Sequence, residues 1–311
     1  MKLAFVFPGQ GSQAVGMLQA YVGLPGVDAV RQEAGDVLGA DFLRVLDEGP
    51  AEALGLTVNT QPAMVTVGIA AFRAWCARGG PAPSLVAGHS LGEYAALVAA
   101  GVLSLKACLP VVRFRAHAMQ EAVPEGQGAM AAIMSLDDDA VRGACAEVAQ
   151  GEVVQAVNFN APGQVVIAGH TTAVERAIKA CKARGAKRAM RLPVSAPFHS
   201  SLMQPAAERL RTHLEGVLFG APRIDLINNV DVAVADTPEA IRDALVRQAA
   251  SPVRWAETVR RMARDGVTHI VECGPGKVLA GLVRRIAPEV QGLSLGDRQT
   301  LEQALAEIQG A

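Results

Sequence analysis

Apolar runs of strand length alternate along this chain with longer segments whose apolar residues recur at helical spacing. The segments 27–46 and 63–78 show the helical pattern, and Pro62 suits the first turn of the second one. Alternation of this kind favours a mostly parallel sheet that is covered by helices on both faces. The apolar runs that we interpret as its strands are 3–7, 84–87, 225–230 and 268–272.

A second pattern begins at the composition change around Pro124-Glu125-Gly126-Gln127-Gly128. The segments that follow predict the ferredoxin-like order β-α-β-β-α-β. We therefore expect an α/β fold with a discontinuous large domain, residues 1–125 and 197–311, and an inserted ferredoxin-like small domain, residues 126–196. The predicted elements of the small domain are 129–135, 137–150, 153–158, 164–168, 172–184 and 187–194.

A tight turn joins the apolar run 84–87 to the alanine-rich segment 93–100. Its sequence, Gly88-His89-Ser90-Leu91-Gly92, matches the G-x-S-x-G nucleophile-elbow pattern. The glycines permit a close approach of strand and helix, and the N-terminus of the following helix directs N–H groups at a developing oxyanion. The pattern also arises by chance, but its position between a buried strand and a helix favours Ser90 as a nucleophile.

A serine nucleophile needs a base, which is most often histidine. The chain has six histidines, and His199 lies in the loop through which the chain returns to the large domain. We favour His199 as the base. His89 adjoins Ser90, but neighbours in an extended strand point to opposite sides, so His89 is expected to support the turn. The remaining histidines show no sign of a site; they are His117, His170, His213 and His269.

A second glycine-flanked turn, Gly9-Gln10-Gly11-Ser12-Gln13, follows the first predicted strand. It completes neither the dinucleotide-binding pattern nor the Lys-Ser/Thr of a phosphate loop. Such a turn can bring a side-chain amide close to a reacting carbonyl group. On the residues alone, an ordinary solvated position for Gln10 remains open.

Composition excludes several classes of function. The net charge is −1 and the pI is about 6.6, which gives no electrostatic reason to expect nucleic acid or a membrane surface as a partner. The five cysteines are scattered and never form CxxC pairs, as is typical of a reducing compartment. No segment approaches the roughly 18 apolar residues of a membrane span, and the N-terminal run is short for a signal peptide. We expect a cytoplasmic monomer.

Six short segments, in one order along the chain, carry a resemblance to a known family. They are Phe7-Pro8-Gly9-Gln10-Gly11-Ser12-Gln13, Gly88-His89-Ser90-Leu91-Gly92-Glu93-Tyr94, Met119-Gln120-Glu121-Ala122-Val123-Pro124, Pro197-Phe198-His199, Pro252-Val253-Arg254-Trp255 and Glu272-Cys273-Gly274-Pro275-Gly276-Lys277. The chain resembles the malonyl-CoA:acyl-carrier-protein transacylases of bacterial fatty-acid synthesis. The resemblance implies an α/β-hydrolase-like large domain with a ferredoxin-like small one. It also implies that Ser90 is acylated by malonyl-CoA and that His199 is the base.

The resemblance implies further roles in the same reaction. Gln10 and the backbone N–H of Leu91 would form the oxyanion hole, and Gln248 would orient the catalytic histidine through its main-chain carbonyl. Asn160 would line the cleft.

Arg115 would match the arginine that binds the malonyl carboxylate, for which a planar guanidinium is well suited. Only the resemblance selects it over Arg113, and Pro110 in the same stretch departs from the family's usual helix.

The implied partners are malonyl-CoA and acyl carrier protein, in a ping-pong reaction that needs no metal or redox cofactor. A transacylase subunit of malonate decarboxylase and a free-standing polyketide acyltransferase share this chemistry and stay open as alternatives. A serine hydrolase or thioesterase predicts an acidic partner for His199, and the sequence offers no obvious one. A non-catalytic docking subunit is disfavoured because both Ser90 and His199 are present.

Overall fold

The computed structural model describes residues 1–194 and 196–310. Ser195, in the predicted small domain, and Ala311, in the predicted large one, lie outside the described residues. Within that range the chain forms nine β-strands. They are β1 (Leu3–Phe7), β2 (Leu85–Gly88), β3 (Gly128–Met134), β4 (Val154–Ala161), β5 (Gln164–His170), β6 (Arg188–Arg191), β7 (Asp225–Ile227), β8 (His269–Glu272) and β9 (Gln291–Ser294).

The larger sheet has five strands in the order β7-β2-β1-β8-β9, and every neighbouring pair is parallel. All residues of β1 and β2 are buried, as expected for strands that are covered on both faces. The strand β9 was missed because its Gln291-Gly292-Leu293-Ser294 sequence has no apolar run. Its backbone pairs with β8 at the edge of the sheet.

The smaller sheet has four strands in the order β4-β5-β3-β6, and its neighbouring pairs are antiparallel. The helices Asp138–Val148 and Thr171–Ala183 pack on it around a separate apolar core. A mostly parallel sheet together with a small antiparallel one confirms the predicted α/β fold class. The exact domain boundaries at 125/126 and 196/197 stay a prediction.

The outer edge of β4 contacts the large domain through the backbone. The Phe159 N–H donates to the Val253 carbonyl at 3.0 Å, and the Val253 N–H donates to the Val157 carbonyl at 2.8 Å. Asn158 and Val253 thereby form an isolated parallel bridge. The small sheet is in this way fixed to the loop that follows the helix Pro238–Ala249.

Two predicted helices differ from the structure. The single helix at 27–46 is wrong, because Gly39, at φ 87°, separates two helices. The second helix begins at Thr57 and not near Ala63, so Pro62 lies inside it. The α-helices of the described residues are Val27–Leu38, Ala40–Glu48, Ala51–Gly55, Thr57–Ala77, Gly92–Ala99, Leu105–Glu121, Asp138–Val148, Thr171–Ala183, Gln204–Glu215, Pro238–Ala249, Trp255–Arg264, Val278–Ile286 and Arg298–Gln309, with short 3₁₀ helices at Met17–Tyr21 and Ser201–Met203.

The carboxyl ends of β1, β2 and β7 meet at one edge of the parallel sheet. In open α/β sheets, ligand sites collect outside this edge. The residues that follow these three strands include Gln10, Ser90 and Asn229. None of the helices in the described part of the chain is long and apolar enough to cross a membrane.

Candidate active site

Ser90 lies on a strained turn between β2 and the helix Gly92–Ala99. Its φ of 52° is in the left-handed region, which is unusual for a residue with a side chain. The turn is possible because its flanking glycines have no side chains. A Cβ on Gly88 would lie 1.9 Å from the carbonyl carbon of Gly92, and a Cβ on Gly92 would lie 2.0 Å from the Phe7 carbonyl oxygen.

Ser90 and His199 are in direct hydrogen-bond contact. The Ser90 Oγ atom lies 2.6 Å from His199 Nε2. On the other side of the ring, His199 Nδ1 lies 2.9 Å from the backbone carbonyl oxygen of Gln248. A carbonyl oxygen can only accept, so Nδ1 carries the proton and Nε2 presents its lone pair to the serine hydroxyl. The imidazole is therefore in the tautomer that a general base needs.

Arg115 is buried beside this pair, with 2% of its surface exposed. Its Nη1 donates to Gln61 Oε1 at 2.9 Å, and its Nη2 donates to Gln248 Oε1 at 2.9 Å and to Ser90 Oγ at 3.3 Å. The guanidinium carbon also lies 5.4 Å from the centre of the Tyr94 ring. A cation is thus held within reach of the nucleophile.

Arg113 faces elsewhere. Its Nη1 donates to the Leu38 carbonyl at 3.4 Å, and its guanidinium lies over the Phe42 ring at 5.7 Å. Of these two arginines, the structure therefore brings only Arg115 to Ser90.

The remaining predicted residues also lie around this turn. Gln10 is half-buried, and its Oε1 accepts from Gln61 Nε2 at 3.3 Å. Leu91 directly precedes the helix that begins at Gly92. Asn160 is half-buried on β4, where its Oδ1 lies 2.8 Å from His89 Nε2, so its side chain reaches the residue before the nucleophile.

Sequence reasoning missed several residues that support the Ser90 turn or the Arg115 guanidinium through hydrogen bonds. Asn229 Oδ1 accepts the Ser90 N–H at 2.7 Å, and Asn229 Nδ2 donates to the Gly88 carbonyl at 2.6 Å. Glu93 and Gln61, each about 1% exposed, contact Gln248 and Arg115 respectively. For Asn229, the available signal was its position just after a parallel strand, where sites collect.

Burial and charge shift the pKa values of the buried groups. Burial, reinforced by the positive charge of Arg115, lowers the pKa of His199 from 6.5 to about 3, so the free imidazole is neutral at physiological pH. Burial raises the pKa of Glu93 from 4.5 to about 7, against the opposing effect of its hydrogen bonds. A neutral base beside a fixed cation therefore characterises the site.

An open cavity of about 390 Å³ lies between the two domains beside this site. His199 and Pro252 of the large domain and Arg142 and Gln155 of the small domain contribute to its wall. Residues 1–194 and 196–310 contain no cluster of three His, Cys, Asp or Glu side chains that could hold a metal ion.

A serine on a strand-to-helix turn, paired with a neutral histidine, defines a serine enzyme that handles acyl groups. Comparison with protein families matches residues 4–294 to the acyl transferase domain family. The chain belongs to that family.

Individual relatives agree along nearly the whole chain. The sequence is 52% identical to the malonyl CoA-acyl carrier protein transacylase of Escherichia coli K12, over 98% of this chain and 99% of that protein. The acyl-carrier-protein S-malonyltransferase of Burkholderia pseudomallei is 59% identical, with a TM-score of 0.96 over 98% of this chain and 99% of that one. A malonyl-transacylase solved in complex with its type II PKS acyl-carrier protein is 51% identical, with a TM-score of 0.97 over 99% and 100% of the two chains.

Proposed function

We propose that this protein transfers the malonyl group from malonyl-CoA to the phosphopantetheine thiol of an acyl carrier protein. The transfer is ping-pong and passes through a malonyl ester on Ser90. The observation that carries the proposal is the contact between Arg115 Nη2 and Ser90 Oγ at 3.3 Å. A buried guanidinium beside the nucleophile selects an acyl group that ends in a carboxylate, because the two groups form parallel charge-assisted hydrogen bonds.

The first half-reaction forms the ester. The Ser90 Oγ attacks the thioester carbonyl carbon while His199 Nε2 takes the hydroxyl proton. The oxyanion is stabilised by the backbone N–H of Leu91 and the side-chain amide of Gln10. Collapse of the tetrahedral intermediate breaks the C–S bond, and the histidine returns its proton to the departing coenzyme A sulfur.

The second half-reaction reverses these roles. The carrier-protein thiol gives its proton to His199 and attacks the Ser90 ester, and the serine oxygen leaves and recovers that proton. The Gln248 carbonyl holds the imidazole in the same tautomer during both halves. Asn160 supports the turn through His89.

The contact at His199 Nδ1 favours this reading over a serine hydrolase. A hydrolase commonly has a carboxylate there, whereas here the partner is the Gln248 carbonyl oxygen at 2.9 Å. The source of the acceptor carrier protein stays open, since one relative was solved in complex with a type II PKS acyl-carrier protein and others carry the general transacylase name.

Intact-protein mass spectrometry tests the proposal. Brief mixing with malonyl-CoA should add one malonyl group, located on the peptide that contains Ser90, and a carrier protein with a free phosphopantetheine should remove it. Acetyl-CoA is the matched control donor and should label slowly. Labelling that persists in Ser90→Ala would remove the assigned nucleophile, and hydrolysis that outruns transfer to the carrier would favour the hydrolase.

We further propose that the protein is a cytoplasmic monomer. All five cysteines are free thiols, as suits a reducing compartment. The exposed large apolar side chains are spread along the chain from Met1 to Val278. Light scattering coupled to size exclusion tests the monomer, and a stable dimer would contradict it.

A further inference from the structure

Glu93 lies outside the reacting groups but holds two residues that contact them. Its side chain is buried, and its Oε2 accepts the backbone N–H of Asn229 at 2.9 Å and the Nε2 of Gln248 at 3.0 Å. Asn229 follows β7, whereas Gln248 lies in the last turn of the helix Pro238–Ala249. One carboxylate oxygen therefore joins two segments that are far apart in the sequence.

The contact between Glu93 and Gln248 sets the orientation of the Gln248 amide. Its two N–H groups are both used, since Nε2 donates to Glu93 Oε2 and to the Ser90 carbonyl, each at 3.0 Å. Its Oε1 is thereby turned toward Arg115 Nη2, at 2.9 Å. A flipped amide would direct its N–H groups at the guanidinium and its oxygen at the carboxylate, so both contacts would become repulsive.

The contact between Glu93 and Asn229 supports the backbone of the nucleophile. The Glu93 carboxylate fixes the backbone of Asn229, and the side chain of Asn229 accepts the Ser90 N–H and donates to the Gly88 carbonyl. These bonds hold Ser90 at its strained φ of 52°. Strain of this kind persists only where the surroundings enforce it.

We propose that Glu93 is a positioning residue for acyl transfer, which orients Arg115 through the Gln248 amide and holds the Ser90 turn through Asn229. The inference rests on the proposed function, in which Ser90 is the nucleophile and Arg115 binds the acyl carboxylate. The role requires an oxygen that accepts two N–H groups. It does not require a negative charge, because a neutral carbonyl oxygen accepts the same two bonds.

Three variants separate this role from a general loss of stability. Glu93→Gln keeps an acceptor oxygen, Glu93→Leu removes it at similar volume, and Glu272→Leu removes another fully buried carboxylate, whose partner is the Ala280 N–H. The measured quantity is kcat/KM for malonyl-CoA and for acetyl-CoA, calculated from the concentration of enzyme molecules that can be acylated.

We expect Glu93→Leu to lose about 10- to 100-fold in malonyl transfer, because two buried N–H donors lose their acceptor. The preference for malonyl over acetyl should fall as well, since Arg115 loses its fixed partner. Glu93→Gln should stay within about threefold of wild type, because its amide oxygen restores the acceptor. Glu272→Leu should lower the melting temperature and leave the malonyl-to-acetyl ratio unchanged.

A serine-directed fluorophosphonate gives a readout that needs no malonyl group. Slower labelling of Ser90 in Glu93→Leu, restored in Glu93→Gln, supports the positioning role. If wild type reacts with the fluorophosphonate but takes no malonyl group, the proposed function fails and the labelling rates still decide the role of Glu93. If Glu93→Leu does not fold, Glu93→Asp, whose shorter side chain cannot reach both donors, takes its place. The proposal is overturned if the shortened or apolar variant keeps the wild-type rate and preference, or if Glu93→Gln is as slow as that variant.

Discussion

The Nη2 atom of Arg115 is hydrogen-bonded to the Oγ atom of Ser90, at 3.3 Å, in a pocket where the guanidinium is almost completely buried. The cation has two glutamine oxygens as partners, from Gln61 and Gln248, and no carboxylate among them. The buried Glu93 carboxyl acts on the guanidinium electrostatically, but no negative charge is hydrogen-bonded to it. A malonyl carboxylate supplies that charge and places the thioester carbonyl at the serine.

Replacing Arg115 should change the choice of acyl group. Arg115→Ala leaves a bound malonyl carboxylate without its partner, and truncating one member of such a pair costs roughly 2–5 kcal/mol. Malonyl transfer should fall by a factor between about 30 and several thousand. Acetyl transfer, which does not use the contact, should hold or rise. The measurement is kcat/KM for malonyl-CoA and acetyl-CoA.

Arg113→Ala is the matched control, because its guanidinium contacts Leu38 and Phe42 away from the site. It should leave the ratio of the two donors unchanged. Equal losses for both donors in Arg115→Ala would make Arg115 a structural residue. A malonyl-selective loss in Arg113→Ala would show that the other arginine binds the substrate.

The pH dependence of acylation should differ between the two donors. The pKa of free His199 is lowered to about 3, first by burial and then by the charge of Arg115. A malonyl carboxylate neutralises that charge, so the pKa of His199 rises in the malonyl complex and stays low in the acetyl complex. Protonation inactivates the base. At saturating donor, the acylation rate should therefore begin to fall at a higher pH with malonyl-CoA than with acetyl-CoA.

Rapid-quench measurements of the acylation rate at saturating donor, repeated across acidic pH, give the acid limb of the pH profile for each donor. At subsaturating donor, kcat/KM reports the free enzyme and should show no loss from His199 near its ordinary pKa of 6.5. Coinciding acid limbs for the two donors at saturation would contradict the electrostatic link between Arg115 and His199.

Asn229→Ala should slow the reaction of Ser90 and lower stability. The substitution leaves the Ser90 N–H and the Gly88 carbonyl without their partner, and each buried group left unsatisfied costs about 1–3 kcal/mol. Urea unfolding and the fluorophosphonate labelling rate measure the two effects. Asn228→Ala, which removes hydrogen bonds to Asp231 and Ala233, is the control and should lower stability alone. Equal labelling rates in both variants would exclude a special role for Asn229.

The buried carboxyl of Glu272 should make stability depend on pH. Burial raises its pKa from 4.5 to about 7, so its contribution to stability is complete below the lower value and is lost as pH rises through the higher one. Glu272→Gln cannot ionise and should not show this loss. Relative to wild type, the variant should gain about 2–3 kcal/mol in free energy of unfolding between about pH 5 and about pH 8.

Urea titrations at the two pH values measure this difference, and the constant cost of the substitution cancels from it. Glu125→Gln replaces an exposed carboxylate directly before the predicted small domain; it is the control and should show no such gain. If the free energy of unfolding of Glu272→Gln changes between the two pH values as much as that of wild type, ionisation of Glu272 is ruled out.

The sequence predicted the features of the site that depend on local pattern. The turn around Ser90 needs glycine at two fixed positions, and that requirement is visible in five consecutive residues. The side-chain contacts that support this turn could not be predicted from local pattern, for the opposite reason. Asn229 contacts Ser90 across 139 residues of chain and Gln248 contacts Glu93 across 155, so no local spacing records either contact.

Element boundaries failed where one residue outweighed a favourable pattern. The amphipathic spacing of 27–46 continues through Gly39, but the backbone there leaves the helical region and begins a new helix. At Pro62 the opposite happened, since a residue that favours a helix start is accommodated inside a long buried helix. Tertiary packing of that helix decides its length, and packing is not encoded in the spacing of its apolar residues.

The pairing of β4 with the loop at Val253 has a consequence for association between molecules. β4 and β6 are the outer strands of the small sheet, and an open outer strand is a template on which foreign strands add and aggregate. The bonds from Val253 to Val157 and Phe159 occupy part of the β4 edge. β6 is only four residues long and begins and ends with an exposed arginine. The interdomain contact thus leaves less of the β4 edge open for a strand of another molecule to pair with.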